Sequence, residues 1–139
     1  MSDEESILTF SEDISTAEAP DPLPVGDYPA SIHSIEVKTS ANSGNRYLDA
    51  VMRVAPDDFP VDFPLENAPD GALIHYRRVV VEDTPRHRHN VRLFCEACGV
   101  AASKNINVNE FLGAEVTISI SHDEYNGVNR EDIRTVSAR

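Results

Sequence analysis

The sequence predicts a mainly β domain, a five-stranded Greek-key barrel of the OB-fold type with one helix between the third and fourth strands. Three observations lead there. Apolar and polar residues alternate in segments on both sides of one helical stretch; that stretch carries a start signal at Thr84-Pro85 and a stop at Gly99; and Asn126-Gly127 divides the last alternating region into a hairpin. Element order alone also admits other small β-barrels, or a β-sandwich with an embedded helix.

After Gly26, "DYPASIHSIEVK" places Ala30 and Ile32 in one phase of a two-residue alternation and Ile35 and Val37 in the other. A bulge near His33 and Ser34 accounts for the slip and bends the strand sharply. Residues 40–45, "SANSGN", form a loop by composition. In "RYLDAVMRV", Leu48, Ala50, Met52 and Val54 share one face and Tyr47, Asp49, Val51 and Arg53 the other, the pattern of a half-buried strand. Four prolines and five acids from Pro56 to Gly71 predict an exposed loop. "ALIHYRRVVVE", residues 72–82, reads as the third strand. Thr84 suits a helix N-cap, with Pro85 in the first helical position. Val91, Phe94, Cys95 and Cys98 then recur at three-and-four spacing, so they face inward, and Gly99 suits the C-terminal stop. "NVNEFLG" adds a short helical turn. Val116, Ile118 and Ile120 mark the fourth strand, and Val128 to Val136 return as the fifth.

The 139 residues carry 24 acids against 12 lysines and arginines, a formal charge of −12. Seven of those acids lie in residues 1–22, which have no lysine or arginine and one apolar cluster, Ile7, Leu8 and Phe10. That segment reads as a disordered acidic arm ahead of a domain over 23–139. The domain keeps the other 17 acids (24 less 7) and all 12 bases.

No apolar run approaches the roughly 18 residues of a membrane span, and the N-terminus is acidic where a secretory signal is basic. The expectation is a soluble protein of the cytoplasm, the host's if it is viral, with no membrane partner. Cys95 and Cys98 are the only cysteines, and no second C-x-x-C follows them. Packed, reduced thiols are favoured over a zinc or redox site. His87 and His89 are two apart, about 200° around a helix, too far for a shared ion. No phosphate-cradling glycine loop or nucleophile elbow occurs, and the acids between 57 and 70 lack the EF-hand rhythm. We therefore expect no enzyme, no metal and no cofactor.

Against this acidic background, "HYRRVVVEDTPRHRHNVR", residues 75–92, holds five arginines and three histidines against two acids. Single-stranded nucleic acid is bound by a cationic groove that follows the phosphates and by aromatic faces on which bases stack. Arginine serves both purposes, since its planar guanidinium pairs with phosphate and also stacks. Candidate contacts are Tyr76, Arg77 and Arg78 on the third strand, and Tyr47 and Arg53 on the outer face of the second. Arg86 and Arg88 lie in the first turn of the helix, and Tyr125 and Arg130 flank the last hairpin. Lys38 and Arg46, at the facing ends of the first two strands, complete the set. Arg77 and Arg78 are neighbours on a strand, so regular alternation sends them to opposite faces.

Leu23, Gly26 and Tyr28, then Glu36-x-Lys38, Gly44 to Leu48, and Tyr125-x-Gly127 form an ordered, widely spaced pattern. By that pattern the domain resembles a family of small, formerly uncharacterised phage proteins of recombination and replication modules, itself similar to OB-fold single-stranded DNA-binding proteins. Arginine stands in this chain where that family commonly has lysine. The resemblance implies a protein that coats or protects single-stranded DNA without catalysis. Single-stranded DNA-binding proteins often carry an acidic tail, commonly C-terminal, that recruits partner proteins and competes for the basic groove. Here the acids stand at the front, and residues 1–22 are expected to do that job with Ile7 to Phe10 as the anchor, the alternative being a merely solubilising arm. For the domain, a non-catalytic protein-interaction or structural module is the alternative. Edge strands of an open barrel can pair, so a homo-oligomer is compatible with the sequence, although no edge is marked for it.

Overall fold

We describe the computed structural model over residues 6–139. The strands are β1 (Gly26–Thr39), β2 (Arg46–Val54), β3 (Ala72–Val80), β4 (Glu115–Tyr125) and β5 (Val128–Ala138), and the helix α1 (Pro85–Cys98) falls between β3 and β4. They form one antiparallel sheet in the order β3-β2-β1-β4-β5.

β1 belongs to both halves of the sheet. Gly26 to Ser31 pair with β4, and Ser31 to Thr39 pair with β2, with a register shift between Ile32 and Ser34. The bulge expected at His33 and Ser34 is therefore present, and it lets one strand serve two halves of a curled sheet. The edge strands β3 and β5 share no backbone ladder. Arg78 bridges them, donating from Nε to the Ile133 carbonyl at 3.1 Å and from Nη2 to both Asp132 carboxylate oxygens at 3.1 and 3.0 Å. Strand order and helix position are those of an OB-like fold, left open between β3 and β5.

A second bulge was not foreseen. Leu48 pairs with Val79 but Ala50 pairs with Tyr76, so Arg77 and Arg78 both oppose Asp49. Both arginines are exposed, which corrects the expectation of opposite faces. The proline-rich loop also has more structure than its composition suggests. It contains 3-10 turns at Pro56–Asp58 and Leu65–Asn67, and Phe59 meets Phe63 edge-on at 5.0 Å. At its end Gly71 adopts φ +103°, where a side chain would stand 2.7 Å from Arg53 Nε, so only glycine fits.

The helix ends follow their signals. Thr84 Oγ1 accepts from the His87 amide at 3.2 Å, and Gly99 closes the helix at φ +70°. Thr84→Ala is expected to cost about 1 kcal/mol, a fall in Tm of about 3 to 5 °C by thermal denaturation. At the last hairpin Asn126 and Gly127 have φ +52° and +78°, as a type I′ turn requires.

The core lies between the curled sheet and α1. Ile32, Met52, Val54, Val116, Ile118, Ile120 and Ile133 are each at most 2% exposed, and Phe94 of α1 meets Phe111 at 5.1 Å. Tyr28 is buried, its hydroxyl donating to the Pro24 carbonyl at 2.7 Å. Leu23 is fully buried, whereas residues 6–21 are exposed and include the 3-10 turn Ile14–Thr16, capped by Asp13. The first five residues of the arm lie outside the described residues. Among the described residues no helix is long and apolar enough to cross a membrane.

Candidate nucleic-acid interface

The outer face of β1, β2 and β3 is organised around one carboxylate. Asp49 is only 4% exposed, although it sits on the β2 face that alternation turns outward. It is covered by two cations and an imidazole: Lys38 Nζ of β1 lies 2.7 Å from Oδ2, and His75 Nδ1 and Arg77 Nε of β3 each lie 3.2 Å from Oδ1. Glu36 takes a second bond from Lys38 at 3.2 Å. Burial pushes the Asp49 carboxyl upward, but the hydrogen bonds from Lys38 and His75 and the charge of Arg77 outweigh it and hold Asp49 below its ordinary value.

Because the folded value lies below the unfolded one near 3.9, Asp49 contributes its full stability above that pH. The contribution is lost as pH falls through the folded value. Asp49→Asn is expected to cost about 1 to 3 kcal/mol at neutral pH and to shrink that difference below about pH 4, read from urea midpoints across the range.

Beside this hub, between β3 and the β4–β5 hairpin, lies a cleft of about 430 Å³. Tyr76, Arg77 and Arg78 line one wall and Arg130 the other, so four residues singled out from the sequence converge there. Tyr125 is not part of the lining but touches it through Arg130: its ring is 59% exposed, with the Arg130 guanidinium 4.7 Å from its centroid. A hollow of about 360 Å³ over Lys38 and Asp49 also has His75 in its lining, so it lies next to the cleft on this face, and the two together make up a track.

The track is not a bare cationic groove. Lys38, Arg77, Arg78 and Arg130 face five carboxylates, those of Glu36, Asp49, Asp123, Glu131 and Asp132. A phosphate chain would have to displace carboxylates to reach these cations, which lowers its affinity.

Other candidates are placed elsewhere or committed to the fold. The Tyr76 ring turns inward and stacks on Phe94 at 6.1 Å, because its partner Ala50 lies on the buried face of β2; it forms a wall of the cleft, not an exposed platform. Arg53 is a loop clamp, donating from Nε and Nη2 to the Asp70 carbonyl at 3.0 and 2.8 Å. Arg78 serves the seam. Arg46 and Arg88 border a different cavity, where Glu82 lies 3.6 Å from Arg46 and Asp83 2.8 Å from Arg88. Arg86 has no carboxylate partner among the described residues, and Tyr47 is half-buried on the outer face beside Lys38.

Asp49 and His75 are the residues that sequence reasoning missed. A lone acid in an apolar strand reads as solvated, and the one available signal was that Asp49 shares a face with Lys38 across two strands. Burial raises the Cys95 thiol and pushes Cys98 up to about 12, as expected of packed, unreactive thiols. Among the described residues no cluster of His, Cys, Asp or Glu is arranged to hold a metal ion.

These features define a small OB-like β domain with a mixed-charge track across the outer face of its first three strands. The chain belongs to the DUF669 family, described as proteins of unknown function, whose model matches residues 10–137. The match starts at Phe10, inside the acidic arm. No curated protein matches the chain.

Proposed function

We propose that the protein binds single-stranded DNA along this track, coating or protecting it during replication or recombination, as a non-catalytic protein of phage type. The observation that carries the reading is the cleft that Arg77 of β3 and Arg130 of β5 line together, with the exposed ring of Tyr125 against Arg130. Phosphates take the guanidinium groups and a base takes the free face of the ring. The acidic arm is the segment offered to replication or recombination proteins.

The test is fluorescence anisotropy of a labelled oligo-dT titrated with the protein at several salt concentrations, with duplex DNA as competitor. The reading predicts preference for the single strand and a log-log salt slope of about −0.7 per phosphate contact. A second reading, a protein-interaction or structural module, is favoured by the matching of Lys38, Arg77, Arg78 and Arg130 with carboxylates. It predicts no DNA binding at any salt.

A further inference from the structure

A cavity of about 870 Å³ is separate from the track. It opens between the last residues of β1, the helix α1 and the segment leading into the 3-10 turn Val108–Phe111. Val37, Leu48, Val91, Ile106 and Phe111 make its surface largely apolar. Arg46, Arg88, Arg92 and Lys104 stand around it against Glu82 and Asp83. Glu96 just outside holds Arg92 at 3.1 Å, and even with it the cations are in excess. Lys104 has no carboxylate partner among the described residues. An apolar hollow with a cationic rim, in a chain of charge −12, suits an acidic segment with apolar anchors.

This chain contains such a segment. Ile7, Leu8 and Phe10 are 64%, 81% and 56% exposed, and their arm carries seven acids and no lysine or arginine. The arm's own root lies at the far end of β1 from the cavity. The Leu23 amide donates to Glu131 at 2.8 Å, His122 bonds the Leu23 carbonyl at 2.7 Å, and residues 19–22 lie beside Leu73 and Val128. Between Phe10 and that root the arm spends a 3-10 turn, Ile14–Thr16, that shortens its reach. The arm of a neighbouring molecule meets no such limit.

We propose that the Ile7–Phe10 segment of one molecule docks in the apolar cavity of a second, its flanking acids meeting Arg46, Arg88, Arg92 and Lys104. Reciprocal exchange of arms then closes a two-fold dimer. The inference does not depend on the DNA-binding reading.

Sedimentation velocity of the full chain at low salt, from low micromolar to millimolar concentration, tests it. A concentration-dependent dimer is expected, lost at high salt and absent in Leu8→Ser/Phe10→Ser and in Val91→Glu. An excess of synthetic peptide of residues 1–22 should dissolve the dimer. The arm variant changes only exposed residues, so it stays informative if Val91→Glu fails to fold. A protein that remains monomeric throughout, or a dimer that survives the arm substitutions or ignores the peptide, overturns the proposal.

Discussion

Phe111→Ala is expected to destabilise the fold by about 3 to 5 kcal/mol. Phe111 is 1% exposed and packs on Phe94, so it joins the helix to the curled sheet. The turn that carries it is tied to the bend of β1: the Gly113 amide donates to the Ile32 carbonyl at 2.9 Å, and the Ile32 amide to the Ala114 carbonyl at 3.0 Å. The backbone around Phe111 is thus pinned and cannot collapse into the void, which places the cost in the upper part of the range for large-to-small changes. Urea denaturation reads it directly, and Phe111→Leu should recover most of the loss. A change below about 1 kcal/mol would mean that this part of the core repacks freely.

Tyr125→Ala is expected to weaken single-stranded DNA binding by about 1 to 3 kcal/mol while leaving the salt slope unchanged, since a stacked base is removed and no phosphate contact. The ring is exposed and already carries Arg130 against one face, which leaves the other for a base. Arg77→Ala should do the reverse, lowering the steepness of the salt dependence by about 0.7. Arg77 also covers Asp49, so some stability is lost with it. Tyr125 takes part in no buried contact of comparable weight, and its substitution is the cleaner probe. Equal salt slopes for all three proteins, with unchanged affinity, would place the DNA elsewhere.

The legible parts of the fold were those set by local chemistry. The Thr84-Pro85 start, the Gly99 stop, the Asn126-Gly127 hairpin and the slip of alternation at His33 each depend on neighbouring residues, and each is present. The illegible parts depend on partners far along the chain. The bulge at Arg77 and Arg78 comes from pairing with β2; the burial of Asp49 comes from cations 11 to 28 residues away; Arg78 reaches β5 across 55 residues. The same distinction holds at the candidate site. Residue type pointed to Arg77 and Arg130, and only the fold shows that these two line the cleft while Arg53 clamps a loop carbonyl and Arg46 borders a different cavity.

The central claim is that single-stranded DNA follows the track from Lys38 across Asp49 and Arg77 to Arg130 and the Tyr125 ring beside it. Two-dimensional amide NMR of the full chain, titrated with oligo-dT at low salt, tests it most directly. The account predicts shifts concentrated at residues 36–38, 47–51, 75–78 and 125–131, with the cavity around Val91 and Ile106 quiet. Shifts confined to the start of α1 around Arg86 and Arg88, or none at saturating DNA, would contradict it.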